Sequence, residues 1–254
     1  MPKIVLSSIL LLGMVGVLAL RADHIERVIV VAVDKSYPPF SYNDLETNKI
    51  EGMDVEVVSF LCRQVGVSCK FVGKDFEDTF ADLENGKIDM ICAGPGLRVD
   101  MGSLFLSTNR YYSASSVFVG LKGAVQGTSL NDLQGLRIGV IRGSIHHGYI
   151  AATYKENVKE KKYSDFQDVM TALILNDIDL AFVDLIATDH FLRSDTDLSF
   201  DVFGGPVNIG DGGYLIVRND DLELLNNLDN EIISSNFDKN YEDIKSKYFD
   251  FYIF

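Results

Sequence analysis

The chain has 254 residues, 47% of them apolar, which is enough for one large domain or two small ones with real cores and too apolar for a disordered chain. Its 23 lysines and arginines stand against 37 acids, a net charge of -14. Such a chain repels phosphate backbones and anionic membrane surfaces, which argues against nucleic acid as a partner; the acidity serves solubility or a field that favours cationic solutes.

At the N-terminus Lys3 precedes an apolar run from Ile4 to Leu20, and Arg21 follows it. A basic start, an apolar stretch and a small-residue exit read as a secretory signal over residues 1–22, with Ala19 or Ala22 before the cut. Neither alanine completes an A-x-A, so an uncleaved anchor is the competing reading. Cleavage removes Lys3 and Arg21 and no acid, leaving 21 cations against 37 acids. An exported chain meets an oxidising compartment, in which Cys62 and Cys69 can bridge over a short loop. Metal binding is the poorer reading, because no His or further Cys follows at ligand spacing. Cys92 lies in an apolar strand and reads as a buried free thiol.

Beyond the signal, strands and helices alternate. Residues 28–33 form a continuous β-branched run, as a buried parallel strand requires, and Pro38-Pro39 breaks it. Residues 53–65 carry apolar side chains at helical spacing, 71–72 are a short strand, 76–84 a helix ended by Asn85-Gly86, and 88–93 an apolar strand. The pattern recurs with a strand at 136–141, Ser144 as N-cap of the next helix, a helix at 165–175 and a strand at 180–183. In both halves a helix ends at Asn and then Ile-Asp opens a strand: Ile88-Asp89 and Ile178-Asp179. The order predicts an α/β protein of two lobes with similar local topology. Gly204-Gly205-Pro206 is a crossing point between them, followed by a strand at 212–217, an amphipathic helix at 222–237 and a last helix at 241–249.

Four stretches carry polar chemistry at strand ends, where open α/β sheets bind ligands. Asp34 and Tyr37 follow the first strand; the acid suits a ligand amine and the ring an aliphatic or cationic group, or the pair forms an ordinary capped turn. Ala93-Gly94 lets backbone approach a ligand, and Arg98 offers a guanidinium to a carboxylate or is solvated. Ser144 and Ile145 open a helix whose N–H groups suit an anion. Asp184 ends a strand and meets an ammonium or caps the next helix. No GxSxG, HExxH, P-loop or GxGxxG motif is present, and His146 and His147 diverge on a helix, so neither a catalytic residue nor a metal or other cofactor is implied.

Taken in order and spacing, Asp34-x-x-Tyr37-x-Pro39-Phe40, Glu51-Gly52-Met53-Asp54-Val55, Asp75-Phe76, Ile88-Asp89, Gly139-Val140-x-x-Gly143-Ser144, Ile178-Asp179 and Lys247-Tyr248-Phe249-Asp250 are specific. From residue 28 to the C-terminus the chain resembles the polar amino-acid family of periplasmic solute-binding proteins that feed ABC importers, and within it the histidine and lysine/arginine/ornithine binders. The resemblance implies the two-lobe type II periplasmic-binding fold, mixed sheets flanked by helices with two hinge crossings. Lobe 1 would comprise residues 24–112 and 204–254, lobe 2 residues 113–203. It implies a monomer in the periplasm that captures a small polar, cationic amino acid and presents it to an inner-membrane ABC permease. Asp34, Tyr37 and Phe76 match positions that meet the ligand side chain. Ala93 and Gly94 match positions facing the α-amino group, Ser144 and Ile145 the helix N-terminus that takes the α-carboxylate, and Asp184 the acid that holds the ammonium. Cys62 and Cys69 fall where the basic-amino-acid binders have a disulfide.

The chain departs from that pattern at Met101, which stands where the family usually clamps the carboxylate with Arg. Arg98 is the candidate substitute; a buried carboxylate left unpaired costs on the order of 2–5 kcal/mol. The departure leaves three alternatives: a weakly bound ligand, one without an α-carboxylate, or an enzyme on the same scaffold resembling cyclohexadienyl dehydratases. A membrane-tethered amino-acid sensor is the further alternative if the N-terminal run is uncut.

Overall fold

The computed structural model describes residues 27–74, 76–94, 104–125, 130–193 and 199–249, apart from the side chains of 76–78, 130, 131, 210 and 211. The expected signal segment, Arg98 and Met101 lie outside the described residues.

In chain order the first part runs β1 (Val28–Asp34), β2 (Ser36–Tyr37), β3 (Ser41–Asn43), β4 (Ile50–Glu51), α1 (Met53–Gln64), β5 (Ser68–Lys74), α2 (Phe76–Glu84), β6 (Met90–Ala93) and β7 (Phe105–Ser107). The second runs β8 (Tyr112–Leu121), β9 (Arg137–Ile141), α3 (Ile145–Thr153), β10 (Lys159–Tyr163), α4 (Phe166–Ile174), β11 (Leu180–Asp184) and α5 (Leu185–Arg193). It is followed by β12 (Phe200–Arg218), α6 (Leu222–Ile232) and α7 (Ser235–Lys245). Among the described residues, nine strands join in the order β10-β9-β11-β8-β12-β6-β1-β5, with β7 on β12, and β2-β3-β4 form a separate small sheet.

Each wing of the large sheet is built from parallel strands. β1 lies between β5 and β6, both parallel to it, so Ile29, Val31, Ala32 and Val33 are buried. This position explains the unbroken apolar run: a strand covered on both faces has no solvent side to alternate with. On the other wing β9 lies between parallel β10 and β11. α1 packs Met53, Val57, Val58 and Leu61 into the first core, and a disulfide from Cys62 to Cys69, with Cα atoms 6.1 Å apart, ties its end to β5.

The Ile-Asp repeat has a shared cause. Val30 N–H donates to Asp89 Oδ2 at 2.9 Å, and Arg137 N–H donates to Asp179 Oδ2 at 2.7 Å. In both wings the aspartate after the helix turn pins the strand that lies beside its own. The recurring Ile-Asp pair therefore carries a backbone clasp, used once per wing.

β12 joins the wings. Phe200–Phe203 pair with Leu121–Phe118 of β8, while Tyr214–Val217 pair with Ala93–Met90 of β6, and the register shifts between residues 203 and 207 and again between 207 and 211. A strand of 19 residues spans about 60 Å at roughly 3.3 Å per residue, too long for one core. The expected crossing at Gly204-Gly205-Pro206 thus falls within one irregular strand.

Several expectations need correction. Residues 71–72 belong to a full seven-residue strand, β5, and the strand at 88–93 begins only at Met90, after Asp89, which makes the clasp. The helix expected over 222–237 stops at Ile232; Ile233 is exposed, and Ser234 starts α7 by accepting Phe237 N–H at 3.1 Å. No separate helix covers 241–249, since α7 already includes Tyr241 and ends at Lys245. β10 reads Lys-Glu-Lys-Lys-Tyr, an edge strand whose polarity hid it.

Gly52, at the N-cap of α1, has φ 130°, and a β carbon there would stand 2.3 Å from Phe40 O. Gly52→Ala is expected to lower stability by on the order of 2–4 kcal/mol, read as a lower midpoint in urea unfolding.

Candidate functional site

Between the wings lies a cleft open to solvent. Its walls are strand ends. Asp34 ends β1, Lys74 ends β5, Ala93 ends β6 with Gly94 following, Ile141 ends β9 with Arg142 following, and Ser164 follows β10. Parallel strands in both wings thus direct their carboxyl ends at one space, the geometry in which α/β proteins hold ligands.

On one wall, Asp34 is half-buried and its Oδ1 accepts Ser36 N–H at 2.7 Å. It caps the turn, as the plainer reading expected, and it also lines the cleft. Tyr37 is buried; its ring stacks on Phe40 at 5.7 Å and meets the edge of Phe166 at 5.6 Å. Phe166 opens α4 in the opposite wing, so Tyr37 lines the cleft and bridges the wings at once. Lys74 Nζ is held 2.6 Å from Asp82 Oδ2, while Lys87 takes Asp82 Oδ1 at 2.7 Å. Hydrogen bonds from Lys74 and then Lys87 hold the Asp82 carboxyl below the usual carboxylate range.

On the facing wall, Ser144 is buried and N-caps α3, its Oγ accepting His147 N–H at 3.1 Å. Ile145 begins that helix but does not line the cleft. Arg142 is exposed, lines the cleft, and makes no ion pair with any described residue. The two histidines serve the scaffold: fully buried His146 Nε2 lies 3.0 Å from Ser116 Oγ, and His147 Nδ1 accepts Gly143 N–H at 3.1 Å.

Five sequence-derived candidates therefore line the cleft: Asp34, Tyr37, Ala93, Gly94 and Ser144. Asp184 does not. It is fully buried, and its Oδ1 accepts Ala187 N–H at 2.8 Å, capping α5. Phe76 opens α2, but its side chain, like Arg98, lies outside the description; Thr79 of the same helix lines the cleft. Sequence reasoning missed Lys74, Arg142 and Ser164. The strand-end rule finds Lys74 and Ser164 once β5 and β10 are drawn at their true lengths, and Arg142 directly past the end of β9, which the sequence already marked.

Beneath the floor sits Asp54, 1% exposed, with Tyr111 Oη donating to its Oδ1 at 2.8 Å. Burial raises its carboxyl to about 7, against the lowering effect of hydrogen bonds from Tyr111 and Cys92. Burial first, then the Asp54 charge, pushes the Cys92 thiol well above its ordinary value.

The fold and cleft define a two-lobe binding protein of the type II periplasmic class. The chain belongs to the bacterial extracellular solute-binding proteins, family 3, whose sequence profile matches residues 29–251. It is similar to the L-arginine-binding protein of Pseudomonas aeruginosa, 27% identical with 100% of this chain and 99% of that protein covered. It is also similar to the lysine/arginine/ornithine-binding periplasmic protein of Escherichia coli, 26% identical with the same shares covered. An ancestral arginine-binding protein bound to arginine matches in structure with a TM-score of 0.80 at 25% identity, covering 89% of this chain and 100% of that one.

Because the folded Asp54 value lies above the ordinary 3.8, its protonated form stabilises the fold. That contribution is complete below about pH 4 and is lost as pH rises through about 7. Asp54→Asn is expected to remove the loss. Its thermal midpoint should gain on wild type between pH 5 and pH 8 by on the order of 5 °C in calorimetry.

Proposed function

We propose that this protein captures a small polar amino acid with a cationic side chain in the cleft and delivers it to an ABC-type importer. The carrying observation is that the cleft is walled by strand ends of both wings, with Asp34 and Tyr37 on one side and Arg142 and Ser144 on the other. A zwitterionic ligand with a second cation needs an acid at one end and anion-binding groups at the other. A ligand touching both walls favours the arrangement in which they are close. The relatives are arginine and lysine/arginine/ornithine binders, which supports the cationic class.

In this reading residues 24–112 with 204–254 form lobe 1 and residues 113–203 form lobe 2, with β8 and β12 as the two crossings. Asp34 and Tyr37 take the ligand side chain. Backbone at Ala93 and Gly94 faces the α-amino group, and Ser144 with the first N–H groups of α3 receives the carboxylate. Arg142, beside Ser144 and without an ion pair among the described residues, joins Arg98 as a candidate counter-cation for that carboxylate. Phe76 remains the candidate for the second face of the side-chain pocket. Asp184 acts on the ligand only if binding uncovers it. The protein works as a monomer in the periplasm after loss of residues 1–22, and it binds rather than converts its ligand. The relatives, which are named binding proteins, support this.

A thermal-shift screen over the amino acids is expected to give its largest stabilisation with L-arginine, L-lysine or L-ornithine. No stabilisation by any amino acid, together with turnover of prephenate or arogenate, would replace this reading with the dehydratase-like one. Arg142→Ala and Asp34→Asn are each expected to weaken L-arginine binding by about 10- to 100-fold in calorimetric titration, as loss of one charge-assisted contact implies. Asp34→Asn should also narrow the preference for L-arginine over L-glutamine, whereas Arg142→Ala should weaken both ligands alike.

A further inference from the structure

Ligand capture, as proposed, leaves one buried polar cluster unused. Asp54 stands in the first turn of α1 and is 1% exposed. Its Oδ1 accepts the Tyr111 hydroxyl at 2.8 Å, and Cys92 Sγ lies 3.4 Å from the same phenol oxygen. Its Oδ2 lies 3.2 Å from the point where a β carbon on Gly94 would stand. Cys92 and Gly94 form part of the cleft floor. Tyr111 leads directly into β8, the crossing strand, and its N–H donates to Gly213 O of β12 at 2.9 Å. One carboxylate therefore touches the cleft floor and the crossing pair together.

The titratable groups that feel Asp54 are Cys92 on β6, Tyr111 and Tyr112 at the start of β8, and Tyr241 on α7. None is a cation. A carboxylate enclosed this way is neutralised by a proton rather than by an ion pair. Its two protonation states make different demands on the phenol. The anion only accepts, and so fixes the Tyr111 hydroxyl toward itself; the acid also donates, and so no longer dictates where that hydroxyl points.

We propose that Asp54 is a positioning residue for ligand capture, coupling the cleft floor at Cys92–Gly94 to the crossing strand through the Tyr111 hydroxyl. Any movement of the wings that shifts Tyr111 changes the environment of Asp54, so closure on a ligand and proton binding at Asp54 are linked. The proposal rests on reading the cleft as the ligand site. It predicts that a cleft ligand of constant charge is bound with a pH dependence that disappears when Asp54 can no longer titrate.

The test uses the absence of tryptophan: the chain has 0 Trp and 11 Tyr, so near-ultraviolet difference absorbance reports tyrosines alone. Ligand-free wild type titrated from pH 5 to 9 should show a tyrosine transition centred near 7, absent in Asp54→Asn and in Tyr111→Phe. L-arginine affinity, measured calorimetrically from pH 5 to 8, where the ligand keeps its charge, should change at least threefold in wild type and stay level in Asp54→Asn. Tyr111→Phe serves as the second variant should Asp54→Asn fold poorly, and it should flatten the affinity profile in the same way. L-arginine binding whose pH profile is unaltered by either variant would overturn the Asp54 proposal and leave the cleft reading intact. A tyrosine transition lost in both variants, with no L-arginine binding to wild type, would overturn the cleft reading while the Asp54–Tyr111 link stands.

Discussion

The structure depends on the antiparallel ladder between β8 and β12. These two strands carry the sheet from one wing to the other, and each wing would otherwise close on its own core. The ladder is held by close packing at its end: a β carbon on Gly213 would stand 2.2 Å from the Tyr112 ring and 2.6 Å from that of Tyr111. Only a residue without a side chain lets β12 pass against two buried phenols. The register shifts at residues 203–207 and 207–211 lie on the far side of that contact. Tight packing at one end and broken register in the middle give a joint that can bend without the sheet coming apart.

The wings share one construction. In each, an aspartate after a helix clasps the strand beside its own, and polar or charged residues stand at or just past the strand ends. Asp34 and Lys74 arrive this way on one side, and Arg142 and Ser164 on the other. The cleft therefore owes its charge to positions where parallel strands stop, and its shape to the crossing pair that sets the wings face to face.

Asp54 is the place where this design departs from good packing practice. A buried acid held by a phenol and a thiol costs stability, and the buried acid Asp82 is by contrast paired with two lysines. The cost falls at the junction of the cleft floor, α1 and the crossing strand. A buried acid retained at such a junction is consistent with a task that a hydrophobic residue of similar size would not perform.

Much of this was legible in the residues. The apolar runs and helical spacings identified β1, α1, α2, α4 and β11 to within a residue or two, because these elements bury whole faces and their patterns are strong. The Ile-Asp repeat disclosed two similar lobes, and motif spacing disclosed the family and five cleft residues. What remained hidden depends on neighbours far away in the chain. β10 is polar because it is an edge, which no local pattern announces. Asp184 and Asp34 both end strands, yet the first is sealed under α5 and the second faces the cleft, a difference made by the helix packed above. Lys74 and Arg142 gain a role only because two lobes meet, and Asp54 gains its raised proton affinity from burial beside Tyr111, 57 residues away. The sequence by itself determined most of the elements and their two-lobe order, since those follow from periodicity and local turn chemistry, and its ordered motifs carried the resemblance to the family. Tertiary structure alone decided which charges share the cleft and which are buried, since that depends on which strand ends the β8–β12 crossing brings together.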